Sequence, residues 1–563
     1  MDKNRLAYNL ELSGSILNIL GGDHRKPAAN STTTTTTTTT YEDIGAHKTI
    51  ASEISPNLTT CHDSYGRPDL LVNCCPPLSD EASAVPVDYQ FPDSSKSGLR
   101  VRRPVHLLDH DYVAKYTKAL TIMKSLPHSD PRSFSRQAQL HCTFCTGAYD
   151  QKHSSASIDI HGNWLFFPFH RMYLHFHERI LGSLIGDDTF ALPFWNWDNP
   201  ESMLFPDICL EGPFVDSQRE FTHFKHVVNL NYDGEMEIVA EGQEQVDANL
   251  AFMYNQVISA AKKPELFMGC PLYPGEDGFC NGPGTVEKAP HNTVHYWVGL
   301  ASNPGRENMG AFYSAAWDPC FYPHHANLDR IWDVWRDLHG MHLPINDTVW
   351  LNSYFYFYDE NLQLVKIKVS DVLNTTKLGY TNEKTDLTWL NRRPRPSVPP
   401  KTAKHILKTR ETNNEIFRLQ LLSNRLEGRS LKNPITIKVY RPKPYRTKRE
   451  IEEEEEVLVV YGIEVKGDFT VKFDVFVNLV NETNAGPSYR EFAGTFVRLA
   501  HVVRRRTIAS GGGNRKSNLN LGVSELLEDL DADKDESIWV TILPRTSSCV
   551  NATFDGVRLD YLR

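Results

Sequence analysis

Apolar positions along the 563-residue chain follow two regimes, a helical one and then an extended one. Between Arg171 and Leu184, the positions Leu174, His177, Leu181 and Leu184 recur at steps of three and four, which places them on one face of a predicted helix. A second helix is predicted after Pro290, because the fixed φ of proline suits a first helical position. A third begins near His324 and runs through ANLDRIWDVW, with Leu328, Ile331 and Trp335 on one face. In the last 160 or so residues the period shortens. ITIKVYRP, EVLVVYGIEV, FTVKFDVFVNLV and IWVTILP alternate or run apolar as strands do, parted by charged or Gly/Pro turns, and FDGVRLDYL adds another.

These patterns divide the chain into four parts. Residues 1–60 read as a disordered or targeting segment, with nine consecutive threonines (Thr32 to Thr40) and no periodic apolar pattern. Residues 61–390 form a helix-rich core, 391–410 a linker opened by the proline-rich NRRPRPSVPPK, and 411–563 a β domain. Within that domain the basic stretch Arg441 to Arg449, followed by Glu450 and Glu452 to Glu456, reads as a solvated loop. Arg504 to Arg506 with Gly511 to Gly513 reads as another exposed loop.

Composition narrows the class. A hydrophobic content of 40% and an aromatic content of 11% suit packed domains, and a formal net charge of −10 argues against a nucleic-acid partner. No apolar run approaches the roughly 18 to 20 residues that span a bilayer. Five of the ten cysteines lie before residue 146, and adjacent Cys74 and Cys75 each need a distant partner, which points to an oxidising compartment. Cys270 and Cys280 bracket a Gly/Pro-rich loop that a disulfide between them would staple.

The chemistry is carried by six histidines in three clusters: His141 in HCTFC, His161 and His170 in HGNWLFFPFHR, His291 and His295 in APHNTVH, with His325 closing DPCFYPHH. Six neutral imidazoles with little carboxylate nearby suit a pair of copper ions. His291 and His295, four apart on a helix, can share one metal. His161 and His170 are out of phase on a continuous helix, so they share a metal only if His161 stands on a preceding loop, a break that Pro168 favours. His141 and His325 supply the third ligand of each set, and spacing does not separate His325 from His324. His175 and His177 read as packing or surface residues. Spacing alone leads to a dinuclear or zinc metalloprotein, with a zinc hydrolase using His291 and His295 as one reading.

HGNWLFFPFHRMYLHFHERIL with FALPFWNWDNP, and APHNTVHYWVG with FYSAAWDPCFYPHHANLDRIWDVW, resemble the two copper segments of plant polyphenol oxidases, the catechol oxidase/tyrosinase group of type-3 dicopper proteins. KFDVFVN, EFAGTFVRLAH and SIWVTILPR are similar to the C-terminal domain of that family. The resemblance implies an α+β fold, in which a mainly α-helical core with a four-helix bundle holds two coppers and is followed by a C-terminal β-sandwich that covers the site. It implies that His141, His161 and His170 hold the first copper and His291, His295 and His325 the second. It further implies a thioether between Cys145 and His161, and disulfides Cys61–Cys75 and Cys74–Cys142.

Three more positions carry over from the family. Glu287 matches an acid that holds a water near the coppers, although a carboxylate there also suits a helix N-terminus. Asn292 matches a position linked with activating that water as a base. Phe312 matches an aromatic gate above the second copper. The implied activity is oxidation of o-diphenols to o-quinones with reduction of O₂ to water, extending to monophenol hydroxylation, in an enzyme latent until its C-terminal domain is removed. The alternatives are a specialised flavonoid- or chalcone-modifying oxidase and, outside the class, an O₂-carrying dicopper protein. Met172, His175 and His177 replace residues that are commonly aromatic in the family, and WVGLASNPGRENMG departs from its pattern near the substrate entrance. The family implies a chloroplast thylakoid lumen, with a vacuole or secretory route as the alternative.

Overall fold

The structure is a computed structural model, and it describes residues 52–67, 69–76, 85–92, 98–235, 242–276, 282–340, 345–413, 428–467, 469–500 and 516–563. The helical core is built on α1 (His110–Ser125), α2 (Phe134–Cys145), α3 (Phe166–Ile185), α4 (Gly242–Tyr254), α5 (Asn292–Val298) and α6 (Phe321–Leu338). Polar caps set where α1 and α2 begin: Asp109 accepts from the Tyr112 N–H and Ser133 from the Arg136 N–H. Helix α3 starts at Phe166 rather than Arg171 and stops at Gly186, a left-handed residue with φ of 68°. It is buried almost all round, including Met172, His175 and His177, so it is a central helix and not the one-faced helix its leucines suggest. His177 stacks on Tyr322 at 3.7 Å, and His175 Nε2 pairs with the Tyr89 hydroxyl at 2.8 Å. Both therefore serve packing.

Charged side chains join α3 to α6. Arg171 lies 2.5 Å from Asp329 and 2.8 Å from Asp333, and Arg102 bridges Asp329 (3.0 Å) and Glu178 (2.7 Å). Except for the partly buried Asp333, these groups are buried. Each is held by an opposite charge, the condition under which buried ions are tolerated. Ahead of α5, the turn Glu287–His291 breaks at Ala289, whose extended φ/ψ of −160° and 132° separates it from the helix. Pro290 thus stands just before α5, which begins at Asn292. A hairpin of β1 (Tyr354–Tyr358) and β2 (Leu364–Lys368) lies against the far side of α3, with Phe169 5.1 Å from Phe355.

The C-terminal domain packs two antiparallel sheets face to face. One has the order β6 (Phe492–Arg498), β5 (Val471–Val477), β8 (Ser537–Pro544), β3 (Ile435–Tyr440). In the other, β4 (Glu455–Val465) pairs with β7 (Ser517–Gly522) and β10 (Gly556–Leu562) on its two sides, and β9 (Ala552–Phe554) joins its end. Strand β5 is buried on both faces. Val471, Phe473, Val475 and Val477 fill the space between the sheets, while Phe476 points the opposite way into the apolar core shared with the helices. Strand period and inter-domain packing are thus one pattern.

Two regions differ from the sequence expectation. Pro400–Asn413 is a helix (α7) that begins in the segment read as linker and runs three residues past it, since proline is tolerated in a first turn and KTAKHILK supplies good helix formers. The acidic run is not a solvated loop. Thr447 and Glu450 form a capping box on the helix Lys448–Glu453, and Glu454 to Glu456 are buried, with Glu456 gripped by Arg441 at 2.8 Å from both Nε and Nη2. Residues 1–51, Cys280 and the stretch holding Arg504 to Arg506 and Gly511 to Gly513 lie outside the described residues. Among the described residues no helix is long and apolar enough to cross a membrane.

Candidate dinuclear metal centre

Four helices and one loop converge on the histidines. Helix α2 carries His141, α3 carries His170, α5 carries His295 with His291 as its cap residue, and α6 carries His324 and His325. His161 stands on the loop before α3, where its N–H donates to Asp159 at 2.9 Å and its carbonyl accepts from Asn163 at 2.9 Å. The first set is then His141, His161 and His170, and the second His291, His295, His324 and His325. In each set one ligand atom per residue lies within 4.8 Å of the others, and every member is buried. The sets abut, with His170 stacked on His325 at 4.4 Å and His161 over His291 at 6.1 Å.

The rings are held so as to offer nitrogen lone pairs inward. His170 Nδ1 donates to the Phe166 carbonyl at 2.7 Å, His291 Nδ1 to that of Glu287 at 3.2 Å, and His295 Nδ1 to that of Met309 at 2.8 Å. A proton used on Nδ1 leaves Nε2 as an acceptor, the usual arrangement for a metal-ligating imidazole. Nε2 of His170 and of His291 are buried without a hydrogen-bond partner, and His295 Nε2 faces His325 Nε2 at 3.0 Å. Burial pushes His141, His170, His291 and His325 well below the ordinary histidine range and His295 down to about 3. A cluster of neutral, inward-facing nitrogens fits soft-to-borderline cations such as copper. The residues therefore fit a dinuclear metal.

Aromatic rings wall the centre. Phe166 lies 4.6 Å from His170 and 4.7 Å from His291, and Phe321 lies 4.8 Å from His141 and 4.0 Å from His325. Sequence reasoning passed over both, yet each stands four residues before a histidine of its own helix, a spacing that puts the two on one face. Phe312 lies flat over His161 at 4.3 Å and parallel to His291 at 6.4 Å. Its ring is thus nearer that of His161 than that of His291, and the Met309 carbonyl three residues before it holds His295.

The carboxyl of Glu287 takes the Gly162 N–H at 2.6 Å through Oε1, so it ties the His161 loop to the His291 turn. Its Oε2 and the Asn292 Oδ1 have no protein partner and are two acceptors beside His291. Burial raises Glu287 well above the usual carboxylate range and pulls neighbouring Lys288 down to about 7. Cys145, the last residue of α2, is a buried thiol. Asp159 acts on it and lies 3.7 Å from His161 Nδ1, which places Cys145 and His161 in one neighbourhood. Disulfides Cys61–Cys75 and Cys74–Cys142 pin the N-terminal segment to α2, one residue from His141. Cys270 is also disulfide-bonded.

Three comparisons bear on this centre. Residues 131–338 match the common central domain of tyrosinase, 344–395 the polyphenol oxidase middle domain, and 428–561 the chloroplastic polyphenol oxidase C-terminal domain. The chain is 43% identical over 515 residues to a latent-form chloroplastic polyphenol oxidase of Prunus armeniaca, covering 90% of this chain and 82% of the relative. It is 41% identical over 508 residues to aureusidin synthase of Antirrhinum majus, covering 88% and 86%. The solved structure of latent apple tyrosinase superposes with a TM-score of 0.74 at 39% identity, over 85% of this chain and 100% of that one.

Proposed function

Since the chain belongs to the plant polyphenol oxidase family, a dicopper family of the tyrosinase type, we propose that it is a catechol oxidase converting o-diphenols to o-quinones. The convergence of two neutral, buried histidine sets carries this reading. His141, His161 and His170 would hold one copper and His291, His295 and His325 the other. Bound there, the copper pair supplies the two-electron exchange between phenol and O₂.

The chain's own residues do the rest. Nδ1–H bonds to backbone carbonyls fix three ligand rings in one tautomer, and the Phe166, Phe321 and Phe312 rings exclude water and offer a face for a phenol ring. Glu287 Oε2 and Asn292 Oδ1, both buried without a protein partner, would hold a water that takes the phenolic proton. Burial raises Glu287 well above the usual carboxylate range, and metal cations held by the adjoining histidines would favour its charged form. With both residues present, hydroxylation of monophenols is within reach of the same site. Relatives named aureusidin synthase and (+)-larreatricin hydroxylase support a second reading, a specialised flavonoid- or chalcone-modifying oxidase.

The β domain supports latency. Asn255 Nδ2 donates to the Phe492 carbonyl at 3.2 Å, Arg490 to Ser259 at 2.9 Å, and Gly522 N–H to the Ala260 carbonyl at 3.3 Å, while β6 packs on the Glu287–His291 turn. Relatives carry chloroplastic names, which favours a chloroplast for this chain; the thylakoid lumen is our finer reading of that compartment. A side-by-side assay of catechol, tyrosine, tyramine and a chalcone, with copper measured on the same sample, tests the activity. Copper-loaded, linker-cleaved protein that forms no quinone from any of them would refute it.

A further inference from the structure

His324 and His325 are adjacent on α6, both buried and both within reach of the second metal. A site that keeps a position for substrate needs three imidazoles there, not four. The Trp197 indole N–H donates to His324 Nδ1 at 3.1 Å. Indole can only donate, so His324 Nδ1 accepts, and a ring that accepts on Nδ1 carries its hydrogen on Nε2. Neither nitrogen then has a lone pair to offer a metal. Trp197 is itself clamped to α6 by its neighbours. Arg330 donates to Asn196 Oδ1 at 2.9 Å, and Asn327 to Asp198 Oδ1 at 2.9 Å, while Trp389 holds the other Asp198 oxygen at 3.0 Å.

His325 is placed in the opposite way. Its Nε2 faces His295 Nε2 at 3.0 Å, and its ring is stacked on Phe321 at 4.0 Å and on His170 at 4.4 Å. The His324 ring instead runs parallel to His291 at 5.7 Å, with its other edge toward the His291 backbone. We infer that Trp197 is a positioning residue that withholds His324 from the second metal, because its indole N–H occupies Nδ1 and leaves the hydrogen on Nε2. This rests on the dicopper reading above.

Copper per chain after reconstitution of apo-protein, alongside apo thermal unfolding, tests it. His324→Asn should keep about two coppers, and His325→Asn should fall to about one. Adding Trp197→Phe to His325→Asn frees His324 Nδ1 and should raise the content from about one back toward two. A drop to about one in His324→Asn, or no recovery in a folded double variant, overturns the inference. If the double variant does not fold, the His324→Asn arm decides alone. Retention of both coppers by His325→Asn would instead overturn the ligand set proposed above, so the two failures are distinct.

Discussion

The imidazoles of His170 and His325 lie face to face, with centroids 4.4 Å apart and planes 19° from parallel. One belongs to each histidine set and to each of the two central helices. The two metal sites thus share a wall, and whatever holds α3 against α6 holds both sites at once.

Asp329 is the main brace between those helices, facing Arg171, Arg102 and the Tyr380 hydroxyl. Asp329→Asn leaves two buried guanidiniums short of a counter-charge, at a cost of about 3 to 5 kcal/mol. The midpoint in urea should fall accordingly, and copper affinity with it. A variant of wild-type stability would show that the network is not what aligns the helices.

Acid should unfold the apo-protein early. In the unfolded chain the histidines titrate near 6.5, whereas burial carries His177 and His295 down to about 3 and others well below their ordinary range. Between those values the unfolded state takes up protons that the folded state refuses. Stability is therefore full above about pH 6.5 and declines as pH falls toward 3, by up to about 1.4 kcal/mol per pH unit for each such ring. Calorimetry of apo-protein should show the melting temperature dropping steeply from pH 6.5 to 5, and copper should raise the melting temperature without flattening that slope, because the metal keeps the same lone pairs closed to protons in the folded state. A flat profile in the apo-protein would contradict this.

Cys145 and His161 should be joined in oxygen-exposed holoenzyme. The thioether forms as the sulfur bonds a ring carbon, with the thiol and ring hydrogens leaving as protons and their electron pair passing to O₂. Peptide mapping should find residues 145 and 161 in one cross-linked species lacking a pair of hydrogens, and Cys145→Ser should lack it while still binding copper. Recovery of an alkylatable Cys145 thiol from active enzyme would rule the bond out.

Cutting the chain between Pro394 and Pro400 should raise catechol turnover, but only partly until the domain is loosened. Ser397 is held by the Glu491 carboxylate, and Arg393 meets Asp529 at 2.7 Å, so the linker lies along the domain rather than spanning a gap. Activity should climb further when mild detergent follows the cut. Equal activity before and after both treatments would exclude latency.

Much of the centre was legible in the residues. Phase along α3 required His161 to leave the helix, and it does; the i, i+4 pair His291 and His295 lies where helical geometry puts it. Legibility failed where long-range partners decide. Glu454 to Glu456 look solvated as a charge run, but each meets its own partner: Arg441 on Glu456, the Ser524 N–H on Glu455, and Lys443 with Arg563 on Glu454. The aliphatic period in α3 suggested a single buried face, and neighbours on every side buried the rest.

By itself, the sequence determined the elements and the donor set: a helical period, then a strand period, and imidazoles rather than carboxylates at the clustered positions. Those are local properties, set by spacing and by the chemistry of each side chain. The arrival of the Trp197 N–H at His324, the lean of Phe312 toward His161, and the neutrality of the rings were decided by tertiary structure alone. Each depends on which group from a distant segment arrives beside the side chain, be it the Trp197 N–H, the Met309 carbonyl or an apolar ring that excludes water, and spacing along one helix carries no record of that.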